Sequence, residues 1–208
     1  GTTGQTVWEQ SRFHDPCWAS PIVVRSPAGD QLVANGNPTI AGYALPAGDV
    51  LWQADHMAGE VAVSPAASGG TVFVGNEYAT FVALDPSAEG KLLWENDEDL
   101  PEVASPVAVG KLLVVPTSYG LVTCRDTATG EVLWQQEFDD GFYASPVVAA
   151  GRVYLADMVG VMQIFEAADT WRPIGSPALG EPVTATPACV GKRLYVRGKT
   201  HLFCIGKE

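Results

Sequence analysis

Side chains able to do acid–base chemistry or hold a cation collect in five short stretches of this 208-residue chain. They are Arg12 to Trp18, Asp55 to Glu60, Asn96 to Glu102, Asp139 to Tyr143 and Leu179 to Pro182. Ten of the 24 acids lie there, with two of the three histidines, so the carboxylates are concentrated rather than spread. Carboxylates so grouped could act as general bases, ligate a hard cation such as calcium, or attract a cationic ligand. His14, Asp15 and His56 could in principle meet at a metal, but their spacing matches no zinc motif. His201 reads as a turn cap. No Gly-x-Ser-x-Gly, His-Glu-x-x-His or phosphate-binding loop is present, so no catalytic residue and no metal ligand is assigned. What remains is a binding face, with His14, Asp15, Trp18, His56, Glu60, Glu102, Asp140, Phe142, Tyr143 and Glu181 as its candidates.

These stretches recur because the chain repeats. Ser/Thr-Pro dipeptides place prolines at Pro21, Pro65, Pro106, Pro146 and Pro187, at intervals of 44, 41, 40 and 41 residues. After each proline come two short runs rich in β-branched and aromatic residues, such as Leu112 to Val115 and Leu121 to Cys124. A turn and a late Trp follow in the first three repeats: Leu51-Trp52, Leu93-Trp94 and Leu133-Trp134. Short runs punctuated by Gly read as strands, and no long stretch has helical periodicity. Four strands in about 40 residues is the signature of a propeller blade. The prediction is an all-β chain, a β-propeller of about five four-stranded blades in one domain over 1–208. The repeats run about 17–60, 61–101, 102–141, 142–182 and 183–208, the last completed by 1–10. In a blade, the loop entering the first strand and the turn between strands two and three share one face. The acidic stretches are those entering loops. Loops are polar wherever they are exposed, but Glu60, Glu102 and Glu181 each precede a repeat proline by four to six residues, which puts them around the axis.

The stretches Ala83-Leu84-Asp85 to Gly90-Lys91-Leu92-Leu93-Trp94, and Asp126-Thr127-Ala128-Thr129-Gly130-Glu131-Val132-Leu133-Trp134, resemble the tryptophan-docking repeat of the pyrroloquinoline-quinone (PQQ)-like propellers. That family includes quinoprotein alcohol dehydrogenases and the outer-membrane-protein assembly lipoprotein of Gram-negative bacteria. The resemblance implies that Trp8, Trp52, Trp94 and Trp134 dock each blade on its neighbour. Trp171 breaks the offset and its turn lacks the Gly, so it is not assigned to docking; Ile174 stands at the expected position. The resemblance also implies a periplasmic or otherwise extracytoplasmic location, and in the dehydrogenases PQQ with calcium. The adjacent cysteine pair of those enzymes is missing and the loops are short. No cofactor is therefore assigned, and PQQ and calcium rest on the resemblance alone. The leading expectation is a non-enzymatic scaffold for a protein or peptide. The alternative is a PQQ- and calcium-dependent dehydrogenase domain for alcohols or sugars.

Composition narrows the partners. A formal charge of −12 and an isoelectric point near 4.5 would repel phosphate backbones and anionic membranes, so no nucleic-acid partner is expected. No apolar run reaches the roughly 18–20 residues of a membrane span. Cys17, Cys124, Cys189 and Cys204 are scattered and read as small buried apolar residues. At the start, Thr3-Gly4-Gln5-Thr6-Val7-Trp8 matches Thr129 to Trp134 position by position. It reads as a blade's last strand, and Thr186 to Glu208 as the first three. The expectation is a closed five-bladed ring or, favoured, an arc of a seven- or eight-bladed propeller that could associate with itself through open blade edges.

Overall fold

The computed structural model describes residues 2–12, 15–25 and 29–206. Among them are 19 strands in five antiparallel sheets, each a meander. Blade 1 holds β1 (Ile22–Val24), β2 (Gln31–Ala34), β3 (Thr39–Ala44) and β4 (Val50–Asp55). Blade 2 holds β5 (Ala66–Ser68), β6 (Thr71–Gly75), β7 (Phe81–Asp85) and β8 (Lys91–Asn96). Blade 3 holds β9 (Val107–Val109), β10 (Leu112–Pro116), β11 (Leu121–Asp126) and β12 (Val132–Glu137). Blade 4 holds β13 (Val147–Ala149), β14 (Arg152–Ala156), β15 (Met162–Glu166) and β16 (Pro173–Gly175). Blade 5 has three strands, β17 (Ala188–Val190), β18 (Arg193–Arg197) and β19 (Leu202–Gly206). The one helical element among the described residues is a 3-10 turn at Pro86–Ala88, whose N-cap Asp85 accepts the Ser87 N–H. The connection between β1 and β2 falls partly outside the described residues.

The first strands of neighbouring blades touch, β5 with β9, β9 with β13 and β13 with β17, so they line the axis. The repeating Ser/Thr-Pro has its cause here. The Ser20 N–H donates to Ser64 Oγ, Ser64 to Ser105 and Ser105 to Ser145, each at 2.9 Å, and Ser145 to Thr186 Oγ1 at 3.0 Å. One hydroxyl per blade thus satisfies a backbone donor of the blade before. The proline that follows has no donor to satisfy where the ladder has barely begun.

The middle strands of the inner blades are buried on both faces, because each of those blades is sandwiched between two others. Val72, Phe73 and Val74 in β6 and Leu113, Val114 and Val115 in β10 are all buried, which is why they read as continuous rather than alternating apolar runs. The third strand pairs with the fourth through a bulge in blades 1 to 4, at Gly42/Tyr43, Ala83/Leu84, Cys124/Arg125 and Ile164/Phe165. Three tryptophans sit at that bulge: Trp52 opposite Gly42, Trp94 opposite Ala83 and Trp134 opposite Cys124.

Blade 5 departs from the others. β17 is exposed throughout, where β9 and β13 are half-buried. This corrects the reading of the cysteines. Cys124 is buried, and burial pushes its thiol up to about 12, but Cys189 and Cys204 are exposed because, among the described residues, blade 5 packs against a blade on one side only. Residues 2–11 form no strand in the structure.

Candidate binding face

The entering loops and the turns between second and third strands do meet on one face. The Phe142 N–H donates to the Thr117 carbonyl at 3.0 Å, and the Met158 N–H to the Gly141 carbonyl at 2.9 Å. Gly141 lies so close to the Ser118 carbonyl that a Cβ would overlap it. The loops are thus pressed onto the turns.

That pressing sorts the ten candidates. His14 lies outside the described residues. Asp15 is exposed and accepts from Asn37 Nδ2 at 3.3 Å. Trp18 is 61% exposed, with its backbone N–H bonded to the Val61 carbonyl of the next entering loop. His56 and Asp140 are half-buried, Glu60 is exposed and Tyr143 is 43% exposed. Phe142 is fully buried, edge-on to Phe138 at 5.4 Å, so it belongs to the core and forms no part of an exposed face. Glu102 and Glu181 turn inward. Glu102 Oε2 accepts the Ser118 N–H at 2.7 Å. Glu181 accepts the N–H groups of Thr200 and His201 at 3.2 and 2.8 Å, the Thr200 hydroxyl, and the imidazole of His201 at 3.1 Å. The Thr200 hydroxyl, then His201, hold the Glu181 carboxyl down to about 2. Both carboxylates clasp the turn of their own blade.

Two residues in the turns between second and third strands, outside the ten candidates, stand out on the same rim. Tyr78 is 62% exposed and Tyr119 is 59% exposed, each 13 residues after its repeat proline. Exposed Val159 takes that position in blade 4. The phenol of Tyr78 is raised by Glu77, with a smaller push from Glu60; that of Tyr119 is raised by partial burial and then by Asp99 and Glu102. The acids therefore set a negative potential at the rings. Behind them, Arg125 is a buried cation lowered by its burial. It donates to the Glu98 carbonyl at 3.3 Å and the Gly130 carbonyl at 3.1 Å, and so ties loop 97–99 to blade 3. A repeat proline offset would have found the tyrosine row. Nothing in the sequence marked Arg125.

The tryptophans lie away from this face, between blades. A Cβ on Gly48, Gly90 or Gly130 would overlap the ring of Trp8, Trp52 or Trp94 respectively, each glycine belonging to the next turn between third and fourth strands. All three glycines have positive φ. The Trp94 N–H donates to the Thr127 carbonyl and the Trp134 N–H to the Ala168 carbonyl, both at 3.0 Å. Trp52 reaches blade 2 through Gln31, which accepts the indole N–H at 2.8 Å and donates to the Pro86 carbonyl at 3.1 Å. In blade 4 the turn has no glycine, and Trp171 packs there instead, 5.0 Å from both Trp134 and Phe165. The register puts Gly175 opposite Ile164, so Gly175 and not Ile174 occupies the tryptophan position.

Among the described residues no three His, Cys, Asp or Glu side chains converge. Among the described residues no helix is long and apolar enough to cross a membrane.

No curated protein matches this sequence. Solved structures match as folds. BamB from Moraxella catarrhalis is 20% identical with a TM-score of 0.72, over 91% of this chain and 60% of that one. Sqt1 of Saccharomyces cerevisiae is 14% identical with a TM-score of 0.71, over 91% and 59%. The computationally designed Ika8 protein is 17% identical with a TM-score of 0.70, over 85% and 55%. The chain thus spans about 60% of the length of these structures or slightly less. A family model described as outer membrane protein assembly factor BamB matches residues 1–109 and again 87–207, and with nearly the whole chain covered, this protein belongs to that family of PQQ-like β-propellers.

Proposed function

We propose that this chain is a non-enzymatic, protein-binding propeller of an extracytoplasmic compartment, whose loop face takes an extended, positively charged segment of a partner. The observation that carries it is one rim on which exposed Trp18, Tyr78, Tyr119 and Tyr143 alternate with exposed Glu60, Asp97, Glu98 and Asp139. Rigid amphipathic rings give contact area at little entropic cost, and their faces attract Lys and Arg, the more so beside carboxylates. The location rests on the family's description as an assembly factor for outer membrane proteins.

Calorimetric titration with a Lys/Arg-rich extended peptide and with its Glu-rich counterpart tests the reading. The basic peptide binds, more weakly at high salt, and a Tyr78→Ser/Tyr119→Ser chain loses about tenfold or more in affinity, as expected for truncating two aromatic anchors. Equal binding of both peptides, or none, would remove it. Dye-coupled alcohol oxidation dependent on added PQQ and calcium would replace it with the dehydrogenase alternative.

A further inference from the structure

Arg125 is out of character for its place in the repeat. The second residue of each third-strand bulge is Tyr43 in blade 1, Leu84 in blade 2, Arg125 in blade 3 and Phe165 in blade 4. All four are buried. Three blades fill that place with an aliphatic or aromatic side chain, so the fold does not require a cation there. Burying a charge is costly, and an apolar residue of similar volume is often neutral or better. The hydrogen bonds of Arg125 go to two backbone carbonyls rather than to a carboxylate.

What the guanidinium holds is loop 97–99. Its Nη2 donates to the Glu98 carbonyl at 3.3 Å, which the Asn96 side-chain amide also reaches. Its Nη1 donates to the Gly130 carbonyl at 3.1 Å, in the turn on which the Trp94 indole lies. One residue on from Glu98, Asp99 has a φ of 53°, in the left-handed region, and its carboxylate accepts from Gln135 Nε2 at 2.6 Å. A side chain in that region costs energy and persists where its surroundings fix it. Asp97 and Glu98 stay exposed, and the half-buried Asp99 carries its charge close enough to raise the Tyr119 phenol. The loop is thus fixed at its middle by a buried fork and a polar strut, with its charges left outside.

We propose that Arg125 is a positioning residue of the loop face, a role that rests on the cation-binding reading above: its fork pins the Glu98 carbonyl so that loop 97–99 presents its carboxylates beside Tyr119 to a basic segment. The rim is then ordered before the partner arrives, and less freedom is lost on binding.

Arg125→Leu tests this, because it copies what blade 2 holds at Leu84; the chain should fold and melt no lower. Calorimetry with the Lys/Arg-rich extended peptide should show affinity falling about threefold to tenfold, the cost of ordering a loop that was held before. The sign is diagnostic. Arg125 is itself a cation behind a face for cations, so losing its charge alone would tighten binding. Asp99→Gly and Asp99→Asn separate hold from charge a second time. Both delete one carboxylate, but asparagine tolerates positive φ and keeps an oxygen for Gln135, whereas glycine releases it. Asp99→Gly should therefore bind more weakly than Asp99→Asn. Amide exchange at Glu98 and Asp99, measured with no partner present, should accelerate in Arg125→Leu while β10 is unaffected. Unchanged exchange in the loop would overturn the inference whether or not the peptide binds. Arg125→Leu binding the peptide as tightly as the unaltered chain, or more tightly, would overturn it and leave the loop-face reading standing. An unaltered chain that binds no basic peptide would remove both.

Discussion

The seam between blades 2 and 3 and the seam between blades 4 and 5 come from the same 40-residue repeat, yet they are closed differently. At the first, Trp94 lies on Gly130, donates to the Thr127 carbonyl and stands near Phe73 and Phe81 at 5.9 and 6.1 Å. Buried Ala83, Leu113 and Val115 fill the space around it. At the second, Gly175 takes the tryptophan position, and the fourth strand of blade 4 is three residues long and exposed throughout. The packing there rests on Ala144, Ala156, Met162, Val183 and Val196, with one hydroxyl bond, Ser145 to Thr186, beside them. An indole with a glycine opposite it closes a seam from the outer edge; without one, the seam is held by the apolar side chains of its inner strands and the axial hydroxyl bond. In repeat proteins stability sums over nearest-neighbour interfaces, so the seam with the smallest interface opens first.

The largest way to break this comparison is to delete an indole. Trp134→Ala should cost about 3–5 kcal/mol, as for other buried aromatic truncations. Trp18→Ala, at an exposed ring, should stay within about 0.5 kcal/mol. Denaturant melts read both, and equal shifts would mean that the seam does not depend on the ring.

A smaller effect sits on the other partner of the pair. Gly90→Ala meets positive φ and the Trp52 ring, and should cost about 1–3 kcal/mol. Gly175→Ala meets nothing within 4 Å and should be near neutral, since its seam has no ring to displace. Thermal melts of the two variants sharpen the contrast. At the axis, Ser105→Ala removes the acceptor of the Ser64 N–H and should cost about 1–2 kcal/mol by leaving that donor unmet.

The smallest effect is a pH dependence confined to blade 5. Glu181 is held down to about 2 from an ordinary value of 4.5. Its clasp on Thr200 and His201 is therefore complete above about 4.5 and is lost as pH falls through about 2. Amide exchange at Thr200 and His201 should accelerate across that window, and Glu181→Gln should flatten the profile.

Much of the fold was legible because the repeat is written in groups with one job each. Ser/Thr-Pro marks the axial hydroxyl bond, paired apolar runs mark doubly buried strands, and Gly with a late Trp marks the outer seam. Legibility failed where one insertion or one missing neighbour changed the environment. The turn before Trp171 is longer, so the proline offset pointed to Ile174 and the register to Gly175. Cys189 and Cys204 occupy positions that are covered in inner blades and bare in the last. Phe142 read as a platform because it is aromatic and in a loop. The signal against it was the preceding Gly141, where the loop presses on Ser118 and turns the ring inward. The two clasping glutamates read as free charges because a sequence does not say which backbone donors a carboxylate will meet.

The most direct test of the difference between the seams is native-state hydrogen exchange along the undivided chain. Amides of β18 should exchange much faster than those of β10, its counterpart in blade 3, and Trp94→Ala should bring β10 toward the rate of β18. Equal protection of β18 and β10 in the unaltered chain would contradict the account.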